Sequence, residues 1–398
     1  MRKLFYSPLF LLGLSIRLFL LPYPGSHYLQ DLFIPFLDSA ILNPGENPWS
    51  LLPAHYFPYG SLLFSLLFIP RFLVHLASGQ TLVGGGPIAV TLAKIPLLGL
   101  EILLLVVLVK LARNRAKNIL LYYWLSPIVL YITYIHGQLD VAAMALVVWA
   151  LYLLTKHRIS LSALAMAGAT LCKFHVIIIV PLVLSYLWNQ QFARRAVPWI
   201  GRWLVVWLGT SFVGFLPLIL AGQFSYASAS SPEAMRVFAA SLSFGSGQVV
   251  YLGVFGVIAV LGRLCVSSRI TDQGLLFGAG AVFMALVLGI NAMPGWYYWV
   301  MPTIALFFAL YTNVPPVLYW VFQALYLVYF VGFFSPEPPA QNILPGVVFT
   351  LLQTTLGGIL VVMWSLVIRR EAVLSRRARP VMLGVAGNSK GNRITPVR

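Results

Sequence analysis

Residues 88–117 read IAVTLAKIPLLGLEILLLVVLVKLARNRAK. The first 22 carry only Lys94 and Glu101 as charges, and the last eight carry four bases. An apolar run of about 20 residues is long enough to cross a bilayer as a helix. Bases crowded at one end mark the cytoplasmic side. The same alternation recurs along the chain. Its 398 residues are 60% hydrophobic and 9% charged, with a mean hydropathy of +0.90. Soluble chains are about 25% charged, so a soluble multi-domain enzyme is excluded. The apolar content also excludes disorder. Ten-residue segments of alternating polarity are absent, which argues against a β-barrel. The expected class is an all-α polytopic membrane protein.

Apolar runs fall near 4–22, 88–109, 119–135, 141–155, 159–172, 174–189, 199–221, 247–262, 273–291, 296–312, 316–334 and 345–368. Basic clusters separate them: Arg2-Lys3, Lys110–Lys117, Lys156 and Arg158, Arg194–Arg202, Arg263 and Arg269, and a tail from Arg369. Placing all of these in the cytoplasm gives about twelve crossings with both termini inside. The retained N-terminal run lacks a small-x-small cleavage site. Residues 59–77 are apolar too, but counting them as a span would put Lys110–Lys117 outside. Pro70-Arg71 breaks the run, so it is expected to be a juxtamembrane or re-entrant segment. It belongs to a long first external loop, 23–87. Residues 159–189 must hold two short crossings, with Lys173-Phe174-His175 at the bend.

This layout sorts the charges. Asp31, Asp38, Glu46, Asp140, Glu233 and Glu337 fall outside, as do all histidines but His157. Asp272 and Glu371 are cytoplasmic, and Glu101 lies within the membrane. The +17 formal charge is therefore mostly topology signal, and nucleic acid is not an expected partner. The lipid bilayer is. Cys172 and Cys265 form no disulfide framework. Neither a Gly-x-x-x-x-Gly-Lys-Ser/Thr loop nor a Gly-x-Gly-x-x-Gly turn occurs. No residue spacing marks a metal site.

An acid just outside a first span suits a general base that takes a proton from a hydroxyl acceptor. Asp31 is the first candidate and Asp38 the second; a solvated loop acid is the plain alternative. Glu101, deep in a span, is either functional or a structural partner of Lys173 or a tyrosine. Lys94 shares a face with it, about 10 Å away along the axis, and lies where it could reach a lipid phosphate. Lys173 and His175 could clamp a leaving phosphate, or Lys173 could simply snorkel. Asn291–Trp299 is an aromatic belt or a sugar platform, with Trp296 and Tyr297 as candidates.

Three stretches carry a resemblance. The first is Asp31, then Gly45-Glu-Asn-Pro48-Trp49, then Phe57-Pro58-Tyr59-Gly60. The second is His136-Gly-Gln138-Leu-Asp140, a basic loop at Lys156–Arg158, and Lys173-Phe-His175 before Pro181. The third is Lys94 seven residues before Glu101. Together they resemble the GT-C superfamily of polyprenyl-phosphate-sugar-dependent glycosyltransferases, its mannosyltransferase branch in particular. One proline instead of two at Pro58, and His175-Val176 where the family has its Pro element, depart from the pattern.

The resemblance implies a GT-C-like catalytic module over 1–190, variable helices over 191–368 and a basic cytoplasmic tail over 369–398. It implies transfer of a hexose, with mannose the expected one, from a polyprenyl-phosphate donor to a glycan or lipid-linked acceptor hydroxyl, with inversion. The site would face outward from a bacterial plasma membrane. Lys173, His175, Lys94 and Arg236 would hold the donor phosphate. His136, Gln138, Asp140, Tyr59, Trp296 and Tyr297 would line the acceptor and sugar site. No metal or other cofactor is expected. A lipid or solute transporter, or a flippase, is the competing class; it needs polar groups at the midplane.

Overall fold

The computed structural model describes residues 2–79, 84, 86–190, 193–245, 247–266, 270–333 and 343–368. Arg269, Glu337 and the tail over 369–398 lie outside the described residues. The chain is about 80% helical. Its strands form one small antiparallel hairpin, Ser241–Ser243 against Val249–Tyr251, among the described residues.

Four described helices are long and apolar enough to cross a membrane: Ser61–Ser78, Pro87–Leu111, Ala196–Leu220 and Leu344–Ile368. A fifth crossing results if Ala116–Trp124 and Pro127–Ile135, bent by 49°, count as one. Further apolar helices, such as Pro8–Leu20 and Asp140–Thr155, have 10–17 residues. Among the described residues, four or five helices therefore reach full spanning length, and the other apolar runs form shorter helices.

Two departures have local causes. Residues 119–135 were expected to form one span, but they break before Pro127. Proline lacks the N–H that would continue the helix and disfavours helical backbone at Ser126. Ser126 instead caps the next turn through the Val129 N–H, and the Gln323 Oε1 accepts the Ile128 N–H at 3.0 Å. Conversely, Ser61–Ser78 runs through Pro70 without ending, so the expected interruption there is absent. The helix packs against Pro87–Leu111 and Ile159–Cys172. Arg71 does not face lipid: it pairs with Asp38, whose other oxygen accepts the Gly84 N–H at 2.8 Å.

The centre is Asp140–Thr155, buried on nearly every side between Pro87–Leu111 and Ile159–Cys172. Ile159–Cys172 is rich in Ala, Ser, Gly and Thr, and small side chains let helix backbones approach closely. Trp203 and Trp207, one turn apart on Ala193–Leu220, donate to Ser162 and Thr170 of that helix. Packing therefore crosses the expected boundary at residue 190.

The deep charges are matched. Arg17 forms a two-pronged pair with Glu101, at 3.0 and 2.5 Å, and donates to the Gly13 and Trp124 carbonyls. Its guanidinium carbon lies 3.5 Å from the centroid of the Trp124 ring. The Tyr134 hydroxyl donates to Glu101 at 2.6 Å. Glu101 is thus a structural anchor held by Arg17 and Tyr134; the expected partner Lys173 instead pairs with Asp140. Gly13 belongs to this arrangement, because a Cβ there would sit 2.3 Å from the Trp124 Nε1.

Candidate functional site

Two loop contacts and one chain bend build the site. Ser26 N–H donates to the His136 carbonyl at 2.8 Å, which joins the first loop to the second. Gly137, at φ +77°, packs on Leu29 and Gly25 there. Gly60 N–H donates to the Leu171 carbonyl at 2.8 Å, and a Cβ on Gly60 would meet that oxygen at 2.8 Å. This docks Phe57–Gly60 on the end of Ile159–Cys172. The helix stops at Cys172, Lys173 is extended, and a 3₁₀ turn, Phe174–Ile179, follows.

These elements surround a cavity of about 400 Å³. Tyr59, Gln138, Lys173, His175 and Trp296, all expected site residues, line it. Trp299 also lines it; it ends the expected aromatic stretch but is not among the residues singled out there. Its spacing held the signal. Pro294–Trp299 is a 3₁₀ turn, in which residues three apart share a face. Trp296 and Trp299 accordingly stack at 5.3 Å, and Trp299 stacks on His175 at 3.7 Å. Tyr297 points elsewhere: its hydroxyl accepts from Gln353 and its ring packs on Tyr326 and Phe330. It is not a cavity residue.

Asp140 lies directly behind the wall. Its Oδ1 accepts from the Trp299 indole N–H at 2.7 Å and from the Lys173 ammonium at 3.1 Å. One carboxylate therefore fixes both the cation and the aromatic plate. Lys173 also sits 5.2 Å from the Tyr59 ring centroid. Burial disfavours the ammonium, but Asp140 and the Tyr59 hydroxyl outweigh it, so the Lys173 pKa is raised and the group stays charged. Gly295 permits the arrangement, since a Cβ there would lie 2.6 Å from the Asp140 Oδ2. That Oδ2 and the His175 Nε2 are buried without a hydrogen-bond partner among the described residues. Buried polar atoms are normally paired; His175 lines the cavity, so its Nε2 is suited to meeting a ligand, while Asp140 stays behind the wall.

Several expected residues stand elsewhere. Asp38 is buried in its pair with Arg71 and anchors a loop, so it cannot serve as a base in the cavity. Lys94 is 1% exposed and donates to the Tyr23 and Tyr134 carbonyls at 2.6 and 2.8 Å. It holds these two carbonyls together and does not face the cavity. His136 supports the wall from behind, its Nδ1 3.3 Å from the Gln138 Nε2. Burial, its largest influence, lowers its pKa to about 4, so it is neutral at pH 7. Arg236 is half-buried beside the cavity, between the wall residues Glu233 and Val237.

Asp31 is exposed and does not line the cavity, although Tyr28, Leu32 and Phe33 of the same turn do. The carboxylate in the wall, among the described residues, is Glu233. The Gly45–Trp49 turn is a structural brace: Asn47 caps Pro48–Leu51 and donates to the Pro217 carbonyl, while the Trp49 indole donates to the Phe57 carbonyl. The described residues contain no group of three His, Cys, Asp or Glu side chains able to hold a metal. A scan of protein families and a search of curated proteins find no match to this chain.

Proposed function

We propose that the chain is a membrane glycosyltransferase that moves a hexose, mannose first among them, from a polyprenyl-phosphate donor to an acceptor hydroxyl in the 400 Å³ cavity. One observation carries this reading. Three stretches far apart in sequence, Phe57–Gly60, His136–Asp140 and Lys173–His175, converge on one cavity that also presents a stacked aromatic pair. The mixture suits a sugar phosphate: aromatic faces take pyranose C–H surfaces, Gln138 takes hydroxyls, and a fixed cation takes the phosphate.

In this reading the acceptor oxygen attacks the anomeric carbon as the bond to the phosphate oxygen breaks, inverting that carbon. Lys173 offsets the charge that grows on the departing polyprenyl phosphate, an effect worth most in a water-poor site. Asp31, exposed on the turn that supplies the wall residues Tyr28, Leu32 and Phe33, takes the acceptor's proton. Apo geometry often leaves such a base short of its final contact. An outward-facing site in a bacterial plasma membrane, with a glycan or lipid-linked acceptor, completes the proposal.

Reconstitution with a labelled polyprenyl-phosphate hexose and an acceptor mixture tests it. Sugar transfer is the expected result; movement of the intact lipid across the bilayer, without transfer, would establish a flippase instead. Asp31→Asn should abolish transfer. Full activity in Asp31→Asn with loss in Glu233→Gln would move the base to Glu233.

A further inference from the structure

A second cavity, of about 830 Å³, lies at the other end of the bundle. Lys94 contacts the cavity-end loops, while Lys110 is sixteen residues along the same helix, roughly 24 Å away at 1.5 Å per residue. Four cations line this cavity: Lys3 from Arg2–Phe5, Lys110 from Pro87–Leu111, Arg113 from the turn after it, and Lys117 from Ala116–Ile119. Leu4, Leu9, Val109 and Leu120 supply apolar wall, and no carboxylate lines it. None of the four cations is in an ion pair among the described residues.

Completing a helix C-terminus accounts for Lys110 and Arg113. The positive-inside bias places Lys3 and Lys117 on this side as well, but neither effect requires bases from three helices to line one cavity. Arg113 adds a second observation. It follows the Pro87–Leu111 helix in left-handed backbone, at φ +53°, a place where glycine is favoured. The chain instead keeps there a guanidinium, whose planar fork matches phosphate oxygens. A free anion would need the cations alone; the apolar wall beside them suits acyl chains.

We propose that this cavity binds the phosphate headgroup of an anionic phospholipid, whose chains run along Leu4, Leu9, Val109 and Leu120. The site is separate from the transfer cavity and stands whether or not transfer occurs.

Native mass spectrometry of the purified full chain, incubated with phosphatidylglycerol or phosphatidylcholine, tests it. At least tenfold preferential retention of phosphatidylglycerol is expected. The Arg113→Gly/Lys117→Gln variant should lose that preference, while Lys156→Gln/Arg158→Gln, at a basic loop outside the cavity, should keep it. Arg113→Gly alone should melt at the same temperature or higher, which separates lost binding from lost folding. Equal retention of the two lipids, or an unchanged preference in the cavity variant, would overturn the proposal. So would inorganic phosphate displacing phosphatidylglycerol as effectively as a short-chain anionic lipid does, which would assign the cavity to a free anion.

Discussion

Arg17–Glu101 and Lys173–Asp140 are both buried ion pairs, yet they are finished to different degrees. In the first, the guanidinium is shared between a carboxylate and two carbonyls, and a tyrosine hydroxyl completes the acid. Both partners are fully buried. In the second, Lys173 keeps 11% of its side chain exposed to a cavity, and one carboxylate oxygen has no donor. A charge in an apolar bundle is costly enough to suggest function. The contrast shows that the cost alone does not separate an anchor from a site. The separating property is whether the hydrogen bonding is closed.

The sharpest way to break that contrast is to remove one anchor partner. Glu101→Leu or Arg17→Met leaves a buried charge without its counter-charge and should destabilise the protein by about 3–5 kcal/mol. The double variant should recover most of the loss, since apolar residues can replace a whole buried pair. Thermal unfolding in detergent reads both. If the single variants melt like the parent, Arg17–Glu101 is not an anchor.

Lys173→Met should act the other way round. Transfer should fall by about 10²–10³ in kcat, the usual cost of removing one group that stabilises developing charge. Its melting temperature should fall as well, because Asp140 stays buried, but by less than in either anchor variant, since Asp140 keeps the Trp299 N–H and Lys173 is partly exposed. A variant that transfers normally would place Lys173 with the structural pairs.

Smaller effects sharpen the boundary of the site. Trp299→Phe keeps an aromatic plate but loses the N–H to Asp140, a bond worth about 1.5–3 kcal/mol when the acceptor is charged. About tenfold slower transfer is expected. Tyr297→Phe should leave transfer within about twofold, because its hydroxyl meets Gln353. A larger effect at Tyr297 than at Trp299 would reverse the assignment of the two faces of that turn.

The helical class was legible because long apolar runs admit few other answers. Tyr59, Gln138, Lys173, His175 and Trp296 were legible because their neighbours form motifs that place them near chain turns. Span lengths were less so: a Pro at 127 ends a helix and a Pro at 70 does not, and the tertiary contacts around each decide. The roles of Asp38 and Lys94 were hidden for a related reason. Their partners, Arg71 and the Tyr23 and Tyr134 carbonyls, lie 33 to 71 positions away, and no spacing rule links them. Trp299 was missed in favour of Tyr297 because the turn keeps a period of three, where adjacent aromatic residues look alike in sequence.

The first cavity draws its wall from Tyr28 at one extreme and Trp299 at the other. A ribosome adding about 5–20 residues per second needs roughly 15–50 s to travel between them. Over the last part of that interval, once residue 173 has been added, the nascent chain carries Asp140 and Lys173 but not the Trp299 indole that joins them. The cavity wall is therefore completed late in synthesis, after most of the helices have been made. A chain released before residue 299 would hold most of the helices but lack the Trp299 plate and its bond to Asp140.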